Sequence, residues 1–159
     1  MPTLDDAVAL GISERLQKIR KRRGFSQDDL VAKASVSRAN LTALEQNRHA
    51  NLRLTTLVRF AAQLEVDVLD FLSDRPEKEQ RPESQEPLTR IIANVKAFRA
   101  ARGLSQESLS VEASRFRTYV GRLENRKANP LVVDLQDLAK ALGVAIPDLL
   151  QPAQPKETR

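Results

Sequence analysis

Side chains that do covalent or metal chemistry are scarce in this 159-residue chain. Cysteine is absent and His49 is the single histidine, so disulfides, thiolate catalysis and cysteine-ligated zinc are excluded. The five glycines form no phosphate-cradling loop. No catalytic group, metal or cofactor is expected, and the chain reads as a binding protein, not an enzyme. What it holds in quantity is positive charge: 26 Lys/Arg against 21 Asp/Glu, a net charge of +5, and a pI near 9.9. Residues 1–72 carry 11 basic and 9 acidic side chains, residues 73–87 carry 3 and 5, and residues 88–159 carry 12 and 7. Basic ends around an acidic middle favour a polyanion partner, because Lys and Arg gain by releasing counterions condensed on phosphates.

An internal duplication organises these charges. A shift of 79 residues lays Arg20, Arg23-Gly24, Ser26-Gln27, Leu30, Ala34-Ser35, Arg38 and Leu44-Glu45 on Arg99, Arg102-Gly103, Ser105-Gln106, Leu109, Ala113-Ser114, Arg117 and Leu123-Glu124. After a one-residue gap near Asn47, a shift of 78 pairs Ala50-Asn51, Leu57, Ala61 and Leu64 with Ala128-Asn129, Leu135, Ala139 and Leu142. Two copies of a unit of about 60 residues therefore make up the chain. The expected organisation is a domain over 1–72, a linker over 73–87, a domain over 88–150 and a tail over 151–159. The linker is polar and carries Pro76, Pro82 and Pro87.

The elements are helical. Leu57, Phe60, Ala61 and Leu64 recur at helical period, as do Leu135, Leu138, Ala139 and Leu142, and nothing alternates like a strand. Ser26 and Ser105 each follow a glycine suited to ending a helix and precede Gln and acidic residues, so each reads as an N-cap. The predicted helices are 13–23, 27–34, 38–46, 54–64 and 68–72 in copy one, and 89–102, 106–113, 117–124, 132–142 and 146–150 in copy two. Arg20 and Glu45 lie 25 residues apart, as do Arg99 and Glu124, which points to one shared structural job.

The run from Ser26 to Gln46 resembles the Cro/lambda-repressor-like (Xre-type) helix-turn-helix, and so does Ser105 to Asn125. The resemblance extends over both units. It implies an all-α chain of two tandem five-helix domains in which Leu30, Ala34, Val36, Leu41 and Leu44 hold two helices across a tight turn. There are departures. Ser35 and Ser114 occupy the turn position where the family favours Gly, and Asn47 and Arg126 occupy the Gly position two residues after the Glu. Arg115 replaces the core-like Val36 beside an apolar Phe116, so the start of the third helix in copy two is expected to shift by about one residue.

The resemblance also implies roles. The third helix reads base edges, which assigns Ser37, Arg38, Ala39, Asn40, Thr42 and Ala43 in copy one, and Arg117, Thr118, Tyr119 and Arg122, around Gly121, in copy two. The chemistry suits it: Arg pairs with guanine O6/N7, Asn with adenine, and a methyl touches thymine. Copy two, with two arginines, is expected to discriminate more. Phosphate contacts are implied for Gln27, Arg48 and His49, and for Gln106, Arg126, Lys127 and Asn129. Arg20 with Glu45, and Arg99 with Glu124, are implied to be structural salt bridges tying the recognition helix to helix 1.

The function implied is sequence-specific binding of double-stranded DNA by a transcriptional regulator, with repression expected over activation. A rival reading is an antitoxin-like or oligomerisation module with a protein partner, its apolar face formed by Val66, Val68, Leu69, Phe71 and Leu72; core closure is the preferred role for that set. A homodimer is expected through Leu4, Ala7, Val8 and Leu10, which neither core obviously needs. The longest apolar runs fall far short of a membrane span and residues 1–6 lack a basic targeting region, so a cytoplasmic location is expected.

Overall fold

The computed structural model describes residues 4–46, 52–74 and 86–152. Among them ten helices occur and no strand. Compactness divides the chain into Met1–Arg81 with Asn129–Asp134, and Pro82–Ala128 with Leu135–Arg159. We refer to them as the N-terminal and C-terminal units, and count the helix that begins at Val132 with the C-terminal unit, which holds most of it.

The N-terminal unit contains α1 (Asp6–Arg22), α2 (Gln27–Ala34), α3 (Arg38–Glu45), α4 (Leu54–Leu64) and α5 (Leu69–Leu72). Helix α1 starts seven residues earlier than periodicity predicts. Its buried face, Ala9, Ile12, Ser13, Leu16, Ile19 and Arg20, follows the spacing of one helical stripe against α3 and α5. Leu4 is buried and Val8 half-buried, whereas Leu10 is 47% exposed. The apolar N-terminal stretch thus serves the core in part, which corrects the expectation that no core needs it.

Local chemistry sets the next junction. Gly24 takes φ +74° and ends α1. The Ser26 hydroxyl accepts from Asp29 N–H at 3.0 Å while the Asp29 carboxylate accepts from Ser26 N–H at 3.1 Å, a reciprocal cap that opens α2. The Ser26 hydroxyl also donates to the Asp29 carboxylate at 2.7 Å, and this bond with that from the Ser26 backbone N–H favours the ionised form and holds the carboxyl below the ordinary 3.8. Val66, Val68, Leu69, Phe71 and Leu72 are all buried. Helix α5 closes the core and offers no apolar face to a protein partner.

The C-terminal unit repeats the pattern with α6 (Pro87–Ala101), α7 (Gln106–Glu112), α8 (Tyr119–Glu124), α9 (Val132–Leu142) and α10 (Ile146–Leu149). Pro87 sits in the first turn of α6, where its missing N–H costs nothing. Ser105 caps α7 by accepting from Ser108 N–H at 2.9 Å. Ile91, Val95, Leu109, Val120, Leu123, Leu138 and Leu149 are fully buried and form its apolar interior. Among the described residues no helix is long and apolar enough to cross a membrane.

Candidate nucleic-acid interface

The two helix-turn-helix elements, α2–α3 and α7–α8, begin from the same strained turn. Ser35 and Ser114 have φ +52° and +57°, the left-handed conformation that glycine adopts without penalty. Arg126 likewise has φ +58°. Side chains that suit these angles poorly are tolerated because packing on either side fixes the turn.

Below each recognition helix lies a bidentate ion pair. Arg20 Nε and Nη2 donate to Glu45 at 2.6 and 3.3 Å, and Nη1 donates to the Phe25 carbonyl at 2.9 Å. Arg99 meets Glu124 at 2.9 and 3.1 Å and the Leu104 carbonyl at 3.0 Å. The side chains are 9% and 5% exposed in the first pair, and 20% and 2% in the second. These four residues are scaffold. Ser13 and Gln17 of α1 also donate to the Glu45 carbonyl, both at 2.9 Å.

Gln27 and Gln106, read from the family pattern as phosphate ligands, turn toward this scaffold. The Gln27 amide nitrogen donates to Glu45, and that of Gln106 donates to Glu124 at 2.5 Å. Gln27 Oε1 accepts from Arg38 Nη2 at 3.1 Å, so a continuous hydrogen-bonded chain runs from Arg20 through Glu45 and Gln27 to Arg38. Arg38 also pairs with Asp28 in the first turn of α2. The C-terminal unit repeats that contact between Arg117 and Glu107 at 2.9 Å. Both arginines remain exposed, with the acid setting the direction of the guanidinium.

Around Arg38, Ser37, Ala39 and Asn40 are exposed, and Thr42 and Ala43 are half-buried. Ser37 caps α3, its hydroxyl accepting from Asn40 N–H at 3.1 Å. The C-terminal unit departs here. Phe116 stands in the place of Ser37 and cannot cap, and α8 starts at Tyr119, not at 117 as predicted. Its start is satisfied from the neighbouring helix: the buried Ser110 hydroxyl accepts from Val120 N–H at 3.0 Å and donates to the Gln106 carbonyl at 2.8 Å. Arg115 leaves the turn to pair with Asp137 on α9 at 2.7 Å, whereas the corresponding Val36 is buried.

This rearrangement corrects one expected reader. Tyr119 is 7% exposed and packs edge-on against Phe116, with ring centroids 5.7 Å apart, so it belongs to the core and cannot present its edge to a base. Arg117 and Thr118 are exposed, on the turn before α8 and not on the helix. Arg122 is exposed, lies 5.9 Å over the Phe116 ring and donates to the Lys127 carbonyl at 3.1 Å. A Cβ added at Gly121 would come within 3.2 Å of Gln106 Oε1, so the missing side chain leaves room for that amide.

Among the expected phosphate ligands, Lys127 and Asn129 are exposed, and Arg126 pairs with Glu86 at 3.0 Å and contacts Thr89. Arg48 and His49 lie outside the described residues. Asp28, Glu107 and Ser110 escaped the sequence reading, and Phe116 entered it only as the apolar neighbour of Arg115. The first two carry a signal in retrospect, an acidic residue ten positions before Arg38 and before Arg117.

Comparison with known proteins agrees with this geometry. Residues 15–77 match the profile of the Cro/C1-type HTH DNA-binding domain, and residues 95–149 match the profile named helix-turn-helix. The chain is 36% identical over 73 residues to a Neisseria hypothetical transcription factor from Neisseria meningitidis serogroup B, covering 46% of this chain and 69% of that protein. It is 40% identical over 60 residues to the control protein C.SmaI of Serratia marcescens, 38% of this chain and 71% of that one. It is 32% identical over 68 residues to the HTH-type transcriptional regulator SinR of Bacillus licheniformis, 43% and 61% of the two chains. The chain belongs to the Cro/C1-type (Xre-type) helix-turn-helix family of DNA-binding transcription regulators and carries two of its domains in tandem.

Proposed function

We propose that the chain is a repressor that reads base edges in the major groove with the recognition elements of two domains, 1–72 and 88–150. The observation that carries this reading is the repeated placement of an exposed arginine, Arg38 at the start of α3 and Arg117 in the turn leading into α8, aimed by an acid of the preceding helix and backed by a buried ion pair. Guanine O6/N7 suits such a fork, and Asn40 adds an adenine-type partner in the N-terminal unit. Arg122 and Thr118 join Arg117 in the C-terminal unit. Lys127, Asn129, Arg126, Arg48 and His49 serve the sugar-phosphate backbone, Arg126 by exchanging Glu86 for a phosphate. Gln27 and Gln106 act by holding Glu45 and Glu124 in place.

Repression is the preferred mode because a DNA-bound pair of domains can occlude a promoter by its footprint. Two recognition elements in one chain address two different half-sites, so the preferred target is asymmetric or a direct repeat. A homodimer formed through the exposed Leu10 of α1 restores a palindrome; sedimentation at micromolar concentration that detects only a 17.8 kDa species rejects it. The experiment for the main reading is selection of duplexes from a random pool, followed by binding at several salt concentrations. Affinity is expected to fall steeply between about 50 and 200 mM salt. A flat selection and a salt-insensitive affinity would leave only a protein-binding scaffold.

A further inference from the structure

The recognition end of the C-terminal unit carries one feature that arginine chemistry leaves unused. Phe116 is 56% exposed, beside the start of α8, where the N-terminal unit has the small polar Ser37. It is no loose aromatic. Tyr119 meets it edge-on at an interplanar angle of 88° and is itself buried, which fixes the ring to the interior. The Arg122 guanidinium also lies over the ring, 5.9 Å from its centroid. A phenyl ring held in one orientation in water gives up apolar burial, and it loses little rotational freedom when a ligand covers it.

Residues at the start of a recognition helix meet base edges. In the major groove the apolar group that distinguishes one base from the others is the thymine 5-methyl. We propose that Phe116 reads a thymine through that methyl group, next to the base pairs addressed by Arg117 and Arg122. The proposal rests on the DNA-binding reading above and adds to it a thymine contact that has no counterpart at the equivalent position of the N-terminal unit, where Ser37 stands. The contact with Arg122 gives the ring a second task, because the cation stacked on it is steered toward a neighbouring base.

The test uses the full chain and the duplex selected from the random pool. Each thymine is replaced singly by deoxyuridine, which removes only the methyl. One such replacement should lower wild-type affinity by about fourfold, the effect of taking one methyl-sized group out of contact. Phe116→Ala should bind the thymine and uracil duplexes equally, while Phe116→Leu retains part of the difference. Circular dichroism and the Arg117→Ala response in the Phe116→Ala background establish that the domain is intact. Tolerance of uracil at every position, or a thymine preference that survives Phe116→Ala, overturns the assignment. If Arg117→Ala still weakens binding in that case, the DNA-binding reading stands and only the methyl contact falls. Absence of any selected sequence overturns both.

Discussion

The two recognition helices solve one problem, how to start beside a strained turn, in opposite ways. In the N-terminal unit the solution is local: Ser37 caps α3 three residues before the bond it satisfies. In the C-terminal unit it is tertiary: the cap comes from Ser110 on α7, Phe116 takes the vacated position, and α8 begins at Tyr119. Moving the cap frees the first position for a side chain that faces outward. The Phe116 position is thereby released from a capping duty that a buried serine has taken over. The comparison also explains charge placement. Arg59 of α4 reaches the Ser35 carbonyl at 3.3 Å, whereas its counterpart Asp137 on α9 receives Arg115, so the cation has changed sides of the turn.

The largest effect is expected at the shared scaffold. Glu45→Ala leaves Arg20 buried without its carboxylate and should cost the N-terminal unit about 3–5 kcal/mol, as truncating one partner of a buried pair does. Glu124→Ala should cost less, because Arg99 is the more exposed of the two arginines. Hydrogen exchange read separately on the amides of each unit measures both; equal losses would mean that burial does not set the difference.

The caps come next. Ser110→Ala removes a buried acceptor and should destabilise the C-terminal unit by about 1–3 kcal/mol. Ser37→Ala, at an exposed cap that water can replace, should cost about 1 kcal/mol. Urea unfolding followed by unit-specific amide signals decides it, and a smaller loss for Ser110→Ala would refute the tertiary cap.

A third contrast lies at the end of the fourth helix of each copy. Glu65 follows α4 with φ +55°, and Gly143 occupies the equivalent place after α9 with φ +71°. A Cβ at Gly143 would meet nothing within 4 Å, so the penalty there is conformational. Glu65→Gly should stabilise by about 1 kcal/mol and Gly143→Ala should destabilise by a similar amount. Thermal unfolding of the two variants should shift in opposite directions, and a shift of the same sign in both would contradict the account.

The smallest effect concerns acid. Asp29 titrates below its ordinary value because Ser26 bonds the ionised form, and the C-terminal unit has Ser108 at that position. The stabilisation is complete above the unfolded value of 3.8 and is lost as pH falls through the lowered folded value. Asp29→Ser should flatten the part of the acid limb below pH 3.8 in the N-terminal unit and leave the C-terminal unit unchanged. An identical acid limb in wild type and variant would show that the cap is not formed in solution.

Much of this was legible in the residues. The predicted 27–34, 54–64 and 132–142 coincide with α2, α4 and α9, because apolar period and serine caps are local signals. Equal spacing pointed to one shared structural job for Arg20 with Glu45 and Arg99 with Glu124, and the family resemblance supplied the ion pairs. The early start of α1 was hidden, since Leu4 and Ala9 are too few to declare a period yet find core to bury against. Tyr119 was misjudged for a related reason: its counterpart Asn40 is exposed, and only the displaced start of α8 turns that position inward. The pairing of Asp28 with Arg38 and of Glu107 with Arg117 joins two helices, so no single-helix pattern announces it.

The most direct test of the tandem-reader account is selection from a random duplex pool with wild type, Arg38→Ala and Arg117→Ala. Each arginine variant should lose preference at one base pair, a different one for each variant, with discrimination there relaxed by ~1–3 kcal/mol and the rest of the site unchanged. Identical preferences in all three proteins would contradict the claim that these two side chains meet bases.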